Sequence, residues 1–150
     1  MVNQPDPYLT TDDVFNALKS TGKPMTEWGR AIDGTPMLER VVRALLESEY
    51  ISHIVISGPQ EQQLPGSAFL QAALQQKIVE WSPPADSPSS SAYKVLQSLP
   101  ATPILVTTAD HPLLRADIVD DFITRSVATR ADVGVGLTDY DSIHARFPAA

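Results

Sequence analysis

Two kinds of hydrophobic spacing alternate along the chain. Met37, Leu38, Val41, Val42, Leu45 and Leu46 recur at three- and four-residue intervals, which predicts a helix over Pro36–Glu49. Pro36 suits its first turn, and Glu39, Arg40, Arg43 and Glu47 fall on the opposite side. Ile54-Val55-Ile56 has no helical period and stops at Gly58-Pro59, so a strand is predicted over His53–Ser57. Ile104-Leu105-Val106 is a second such run and reads as a strand buried on both faces of a parallel sheet. Lys77–Trp81 is a shorter strand candidate and Asp132–Leu137 the last. Further helices are predicted over Thr10–Ser20, Ser67–Gln76, Ala92–Leu99 and Arg115–Thr129. The first is capped by Thr10 or Thr11, with Asp12 and Asp13 in its first turn. The last turns Ile118, Val119, Phe122 and Ile123 inward. Two stretches lack periodicity. Thr21–Thr35 holds three glycines, and Ser82–Ser91, with three prolines and five serines, is expected to be irregular.

Strands alternating with helices, over connections long enough for crossovers, make a parallel α/β sheet. No internal repeat or domain boundary is visible, and 150 residues suffice for one core. The proline- and serine-rich stretch reads as a loop at the active edge or as a plain surface loop. A net charge of −7 argues against a nucleic-acid partner. It leaves nucleotides open, because a few local cations and a metal ion suffice. The absence of cysteine excludes disulfides and thiolate metal sites and fits a cytoplasmic protein. No apolar run approaches a membrane span, and the first residues have no secretory pattern.

Candidate chemistry gathers where strands end. Asp110 follows the Ile104–Val106 run, at the carboxyl edge where open α/β sheets bind ligands. Its carboxylate is read either as a ligand for a divalent cation or as a loop cap. His111 stands beside it, placed to contact substrate. Ser89, Ser90 and Ser91 precede an apolar helix, so they offer donors to a phosphate or base, or simply cap that helix. Gly58 after Ser57 lets a ligand approach the backbone, or only makes a turn. Lys23 is read as a phosphate partner or as a solvated lysine. His53 and His144 read as structural or exposed. No Ser-His-Asp order, zinc spacing or Gly-rich phosphate fingerprint is present.

Taken in order, these segments resemble one family. Gly34-Thr35-Pro36-Met37-Leu38-Glu39-Arg40-Val41 is similar to the helix start of MobA-like nucleotidyltransferases. Ile51–Ser57 resembles their second sheet strand, Ser89–Leu96 their nucleotide-facing helix start, and Asp132–Leu137 a later strand. Thr107-Thr108-Ala109-Asp110-His111-Pro112-Leu113-Leu114 resembles their metal-binding motif. The resemblance implies a three-layer, mostly parallel, Rossmann-like sheet of the glycosyltransferase-A-like nucleotide-diphospho-sugar transferase fold. It implies transfer of a nucleotidyl group from a nucleoside triphosphate to a phosphorylated acceptor, with release of pyrophosphate. Asp110 would hold Mg²⁺ and, with Lys23, act in catalysis. Ser89, Ser90 and Ala109 would face the nucleotide, Ser57 and Gly58 would line its base pocket, and His111 would touch substrate. Partners would be small molecules, not nucleic acid or membrane, and a homo-oligomer stays open.

The chain departs from that pattern at both ends. Met1–Thr11 contains no glycine where the family carries a Gly-rich, arginine-bearing loop after a strand. Lys23 lies further upstream of Gly34 than the family lysine does, which makes Arg30 its rival. Residues 1–150 are therefore expected to form one α/β domain that is a partial copy of a longer family domain. A non-catalytic nucleotide- or partner-binding module built on the same scaffold is the alternative function.

Overall fold

The computed structural model describes residues 31–58, 67–100 and 103–146. The expected helix over Thr10–Ser20, together with Lys23 and Arg30, lies outside them. The described chain opens with a hairpin in which β1 (Ala31–Ile32) pairs antiparallel with β2 (Thr35–Pro36). Its two-residue turn places both Asp33 (φ 51°) and Gly34 (φ 77°) in the left-handed region, as tight hairpins require. This hairpin falls at the end of the stretch expected to be loop. Two-residue strands are too short to leave a period in the sequence. Arg40 braces it by donating from Nη2 to the Ile32 carbonyl at 2.6 Å.

Helix α1 (Met37–Leu46) follows directly, with Pro36 as its N-cap. Leu38, Val41, Val42 and Leu45 are fully buried, as the spacing predicts. Two positions differ. Leu46 is exposed, and Glu39, expected on the solvent side, is 9% exposed. Glu39 is tolerated inside because it is fully partnered. It accepts from Arg43 Nε at 2.8 Å and from Ser67 Oγ at 2.5 Å. Arg43 in turn lies 3.8 Å above the Phe69 ring.

Strand β3 (Ile54–Ser57) pairs in parallel with β4 (Val79–Ser82), in register from Ile54↔Val79 to Ser57↔Ser82. The crossover is helix α2 (Ala68–Gln75), whose N-cap Ser67 accepts from the Leu70 amide at 3.1 Å. Lys77, at φ 56°, closes α2. Its amide bonds to the Leu74 carbonyl and that of Ile78 to Ala73. This cap consumes Lys77 and Ile78, which is why β4 starts two residues later than the expected strand at Lys77.

Burial alternates along β3 between two helical layers. Ile54 and Ile56 join α1, α2 and α4 (Ala116–Thr129) in the main cluster, through Leu38, Val41, Leu70 and Val119. Val55 turns to the other layer, against Val95 of α3 (Pro88–Leu96), with Ile104 and Leu99 alongside. Ser48 of the turn after α1 and Asp120 of α4 share a hydrogen bond that ties two helices of the first layer together. The result is the three-layer α/β arrangement that the alternation of periods implies.

Four details correct the sequence reading. Helix α3 begins at Pro88, so Ser89, Ser90 and Ser91 are helical, not part of an irregular stretch. The cause is a Ser-Pro start: Ser87 caps and Pro88 takes the first helical position, where its missing N–H costs nothing. Ile118 of α4 is 45% exposed, leaving Val119 and Ile123 to carry the buried face, with Phe122 half-buried. The run Ile104–Val106 enters no ladder among the described residues, and Val106 is 52% exposed. Its apolar character is used in packing, since Ile104 and Leu105 each pack on one of the two core clusters. Asp132–Leu137 is likewise unpaired and exposed. Its glycines lie against α4, because a Cβ at Gly134 would come within 2.9 Å of Ser126 Oγ. A short helix α5 (Tyr140–Arg146) follows, started by Asp139, which accepts from the Ser142 amide and hydroxyl.

Candidate functional site

The parallel pair β3–β4 ends its carboxyl edge on two serines in register, Ser57 and Ser82. Ser57 is 1% exposed and Gly58 after it is buried. By strand alternation Ser57 lies on the same side as Val55, toward the layer of α3. Its hydroxyl has no hydrogen-bond partner among the described residues. A buried hydroxyl left so costs free energy comparable to a lost hydrogen bond, and such atoms call for a ligand, a water or a functional reason.

The start of α3 divides its serines by role. Ser87 Oγ accepts from the Ser90 amide at 3.0 Å and shares a 2.8 Å hydrogen bond with Ser90 Oγ. Ser91 is buried, donates to the Ser87 carbonyl at 2.8 Å and accepts from the Ala85 amide at 2.9 Å. Capping therefore falls to Ser87, one turn before the serines that the sequence offered for it. Ser89 and Ser90 are exposed on the first turn. Pro88 has no N–H and Ser90 spends its own on the cap, which leaves the Ser89 amide as the first-turn donor for an anion.

Asp110 stands in the turn after residues 103–108 and is exposed. Ala109 beside it is 5% exposed and belongs to the main core, so the turn is anchored one residue from the carboxylate. Ala109 therefore faces the core with its side chain. A second anchor is the hydrogen bond from the Leu114 amide to the His111 carbonyl at 3.0 Å. Thr108 Oγ1 donates to Asp110 Oδ1. The His111 ring is exposed. Arg115, the next basic residue, is already engaged, as Nε and Nη2 grip both Asp117 carboxylate oxygens at 2.8 and 2.7 Å. The hydrogen bonds to Asp117, then its charge, hold the guanidinium even more firmly protonated.

Ile104 packs with Val55 and Val95, so the segment leading to Asp110 lies against β3 and α3. Ser57, Gly58, Ser89, Ser90 and Asp110 thus come from segments that share one packing cluster. His53 sits just before β3, 3.7 Å from Glu80, and the His144 ring lies 4.4 Å from that of Tyr140. Neither belongs to this constellation. Sequence reasoning named Ser91 only as one of three donor or capping serines, and it gave Ser87 and Thr108 no role of their own. The Ser-Pro pair signals Ser87, whereas nothing in a Thr-x-Asp triplet distinguishes a hydroxyl that holds a carboxylate from one that faces water.

As to metal, no group of three or more His, Cys, Asp or Glu side chains able to hold a cation occurs among the described residues. A dedicated protein cage is therefore not what these residues offer. One exposed carboxylate does fit Mg²⁺, which keeps most of its waters and is held by one or two carboxylates plus substrate phosphates. No helix among the described residues is long and apolar enough to cross a membrane.

Comparison with known proteins agrees with this architecture. Among curated proteins none matches the chain in sequence. One similar solved structure is that of CMP:2-keto-3-deoxy-manno-octonic acid synthetase complexed with CTP. Its TM-score is 0.58 at 16% identity, over 79% of this chain and 47% of that one. Another is 4-diphosphocytidyl-2C-methyl-D-erythritolsynthase from Anaerococcus prevotii DSM 20548. Its TM-score is 0.62 at 12% identity, over 91% of this chain and 63% of that one. The chain thus spans less than two thirds of the length of either neighbour. The likeness shows the nucleotide-diphospho-sugar transferase fold, here in incomplete form. The family model of the MobA-like NTP transferase domain matches residues 20–145, and the chain belongs to that family.

Proposed function

We propose that this chain is a nucleotidyltransferase, or the nucleotide-binding part of one, with CTP as the first donor to test. The observation that carries the reading is the buried Ser57 hydroxyl, without a hydrogen-bond partner among the described residues, at the carboxyl edge of β3 and toward the α3 layer. A buried polar atom without a partner among the described residues, at an edge where such sheets bind ligands, supports a bound polar ligand. Family membership and two structural neighbours whose names contain CTP or a cytidyl group favour a nucleotide there.

In this reading Ser57 and Gly58 line the base pocket, Ser57 by its hydroxyl and Gly58 by letting the base approach the backbone. Ser89, Ser90 and Ala109 border the nucleotide, with the Ser89 amide and the positive end of α3 toward its polar groups. Asp110 presents a carboxylate oxygen to a divalent cation, which when bound offsets negative charge on the triphosphate. His111 borders the acceptor, and Lys23 is the proposed partner of the phosphates. An oxygen of the phosphorylated acceptor forms a bond to the α-phosphorus, the bond to the β-phosphate bridge breaks, and pyrophosphate leaves. These side chains contribute by positioning and electrostatics, without a covalent nucleophile.

A thermal-shift screen against ATP, CTP, GTP and UTP, with and without Mg²⁺, tests it. Saturation at about a hundred times the dissociation constant adds roughly 2.7 kcal/mol, a rise of several degrees in Tm for a domain of this size. The expected result is a Mg²⁺-dependent rise for CTP that Asp110→Asn abolishes. No rise for any nucleotide, from a chain that melts cooperatively, sinks the transferase reading and favours a module without triphosphate binding.

A further inference from the structure

We infer that Ser82 is a further ligand-contact residue, and that its hydroxyl and that of Ser57 donate together to one acceptor oxygen of the bound ligand. The inference rests on the reading of Ser57 as a nucleotide contact. It adds a residue from a second strand to that edge and states what kind of ligand atom the edge receives.

Three observations carry it. First, Ser57 and Ser82 are the last register pair of the parallel ladder, two residues beyond Val55↔Glu80. Laterally paired residues of a sheet point to the same face, so Ser82 shares with Ser57 the face toward α3. Second, Ser57 Oγ is buried and bonds to no described residue, Ser82 included. The two hydroxyls therefore stand side by side without satisfying each other. Third, exposure is graded across the pair. Ser57 is 1% exposed and Ser82 is only half-buried, so the pair is closed on the β3 side and open to a ligand on the β4 side. Pro83 and Pro84 follow Ser82 and have no N–H, so for two residues beyond it the chain offers no amide donor in place of that hydroxyl.

The spacing sets the chemistry. Neighbouring strands lie about 4.8 Å apart. Two hydroxyls that each reach about 2.7–2.8 Å to a shared atom can stand up to about 5.5 Å apart around it. A carbonyl or phosphoryl oxygen accepts more than one hydrogen bond and so can take both donors. An amino group would have to donate to the hydroxyls. That would leave the Ser57 proton, which has no acceptor among the described residues, buried and unpaired. The pair thus favours an acceptor oxygen, of a base carbonyl or of a phosphate.

The test measures CTP binding to the full chain by isothermal titration calorimetry, for the parent, Ser57→Ala, Ser82→Ala, the double variant and Ser82→Thr. Each single alanine should weaken CTP about two- to tenfold, the worth of one neutral hydrogen bond. The double variant should lose more than the product of the two, because the ligand oxygen then loses its last donor. Ser82→Thr keeps the hydroxyl and should stay within about twofold of the parent, below the loss of a hydrogen bond. Cytidine and inorganic tripolyphosphate distinguish the two oxygen sources, and the ligand whose binding Ser82→Ala weakens carries the shared atom. Losses that simply multiply in the double variant place the hydroxyls on separate atoms and overturn the inference. If Ser82→Ala lowers the Tm of the free chain and leaves CTP binding unchanged while Ser57→Ala weakens it, the inference falls and the Ser57 reading stands. If neither alanine weakens CTP, or the parent does not bind it, both fall.

Discussion

Replacing Glu39 by Gln isolates the one carboxylate buried in the core among the described residues. Burial alone would push this carboxyl up. The hydrogen bonds from Ser67 and Arg43, with the charge of Arg43, outweigh that and hold it below the usual carboxylate range. Ionised Glu39 gives each donor its own oxygen, Oε2 to Ser67 and Oε1 to Arg43. Gln offers a single acceptor oxygen and turns its amide toward the other donor. One hydrogen bond is lost and the remaining one is no longer charge-assisted. Hydrogen bonds to charged groups are worth about 1.5–3 kcal/mol and neutral ones about 1 kcal/mol. Arg43 is half exposed and recovers part of its loss from water. A net cost of about 1–2 kcal/mol at pH 7 follows, or a fall in Tm of a few degrees.

The pH dependence gives the sharper check. A group whose folded pKa is depressed contributes stability above its unfolded value, near 4.3 for Glu, and loses it as pH falls through the folded value. The difference between parent and Glu39→Gln should therefore be largest at neutral pH and shrink below about pH 4. Urea denaturation at pH 7, 5 and 3.5 measures it. A gap that stays constant across that range, or one under about 0.3 kcal/mol at pH 7, would refute the assignment of a stabilising ionised Glu39.

Other expectations follow from single positions. Lys77→Gly should stabilise by about 0.5–1 kcal/mol, since Lys77 holds a left-handed conformation that costs a side-chain-bearing residue about 1–2 kcal/mol; equal or lower Tm counts against the cap assignment. Gly134→Ala should cost about 1 kcal/mol, because its Cβ would meet Ser126 Oγ at 2.9 Å. Adding Ser126→Gly should recover most of that, and failure to do so in a double-mutant cycle rejects the packing. Ser57→Ala should leave the free protein as stable or more so by about 0.5 kcal/mol, since its hydroxyl is buried without a partner among the described residues. The same change should weaken nucleotide binding in the thermal-shift screen, and a nucleotide-induced shift unchanged from the parent would remove Ser57 from the site.

How far the sequence carried depends on what each element needs from tertiary contacts. Helix α1 and strand β3 were legible because their own periods dictate them: Leu38, Val41, Val42 and Leu45 on one stripe, Ile54–Ile56 as an unbroken run. Ile104–Val106 is as apolar as Ile54–Ile56 of β3 but enters no ladder among the described residues. A short apolar run shows that a segment is buried, not which neighbour pairs with it. Glu39 was misplaced because helical periodicity assigns a face by polarity, whereas its burial is decided by Ser67, 28 positions away. Asp110 and the serines of the candidate site were visible as residue types in suggestive places. The division among them into capping and free groups was not, because hydroxyl partners are set by loop geometry.

That division bears on where function can reside. Around the carboxyl edge the chain has many hydroxyls, and most are spent on structure. Ser87 caps α3, Ser90 bonds to it, and Ser91 ties the helix to the preceding loop. Removing any of these exposes an unpaired backbone or hydroxyl group, so its loss should register as instability and only indirectly as altered binding. Ser57, at the end of β3, is buried and bonds to none of the described residues. Among the described residues its hydroxyl makes no bond that an Ala would lose, so an Ala there is expected to serve the free protein at least as well. That is the pattern the proposed ligand at that edge would account for. The contrast between Ser91→Ala, which should cost stability at every ligand concentration, and Ser57→Ala, which should cost only the ligand-dependent part, separates scaffold from site within one turn of helix and one strand end.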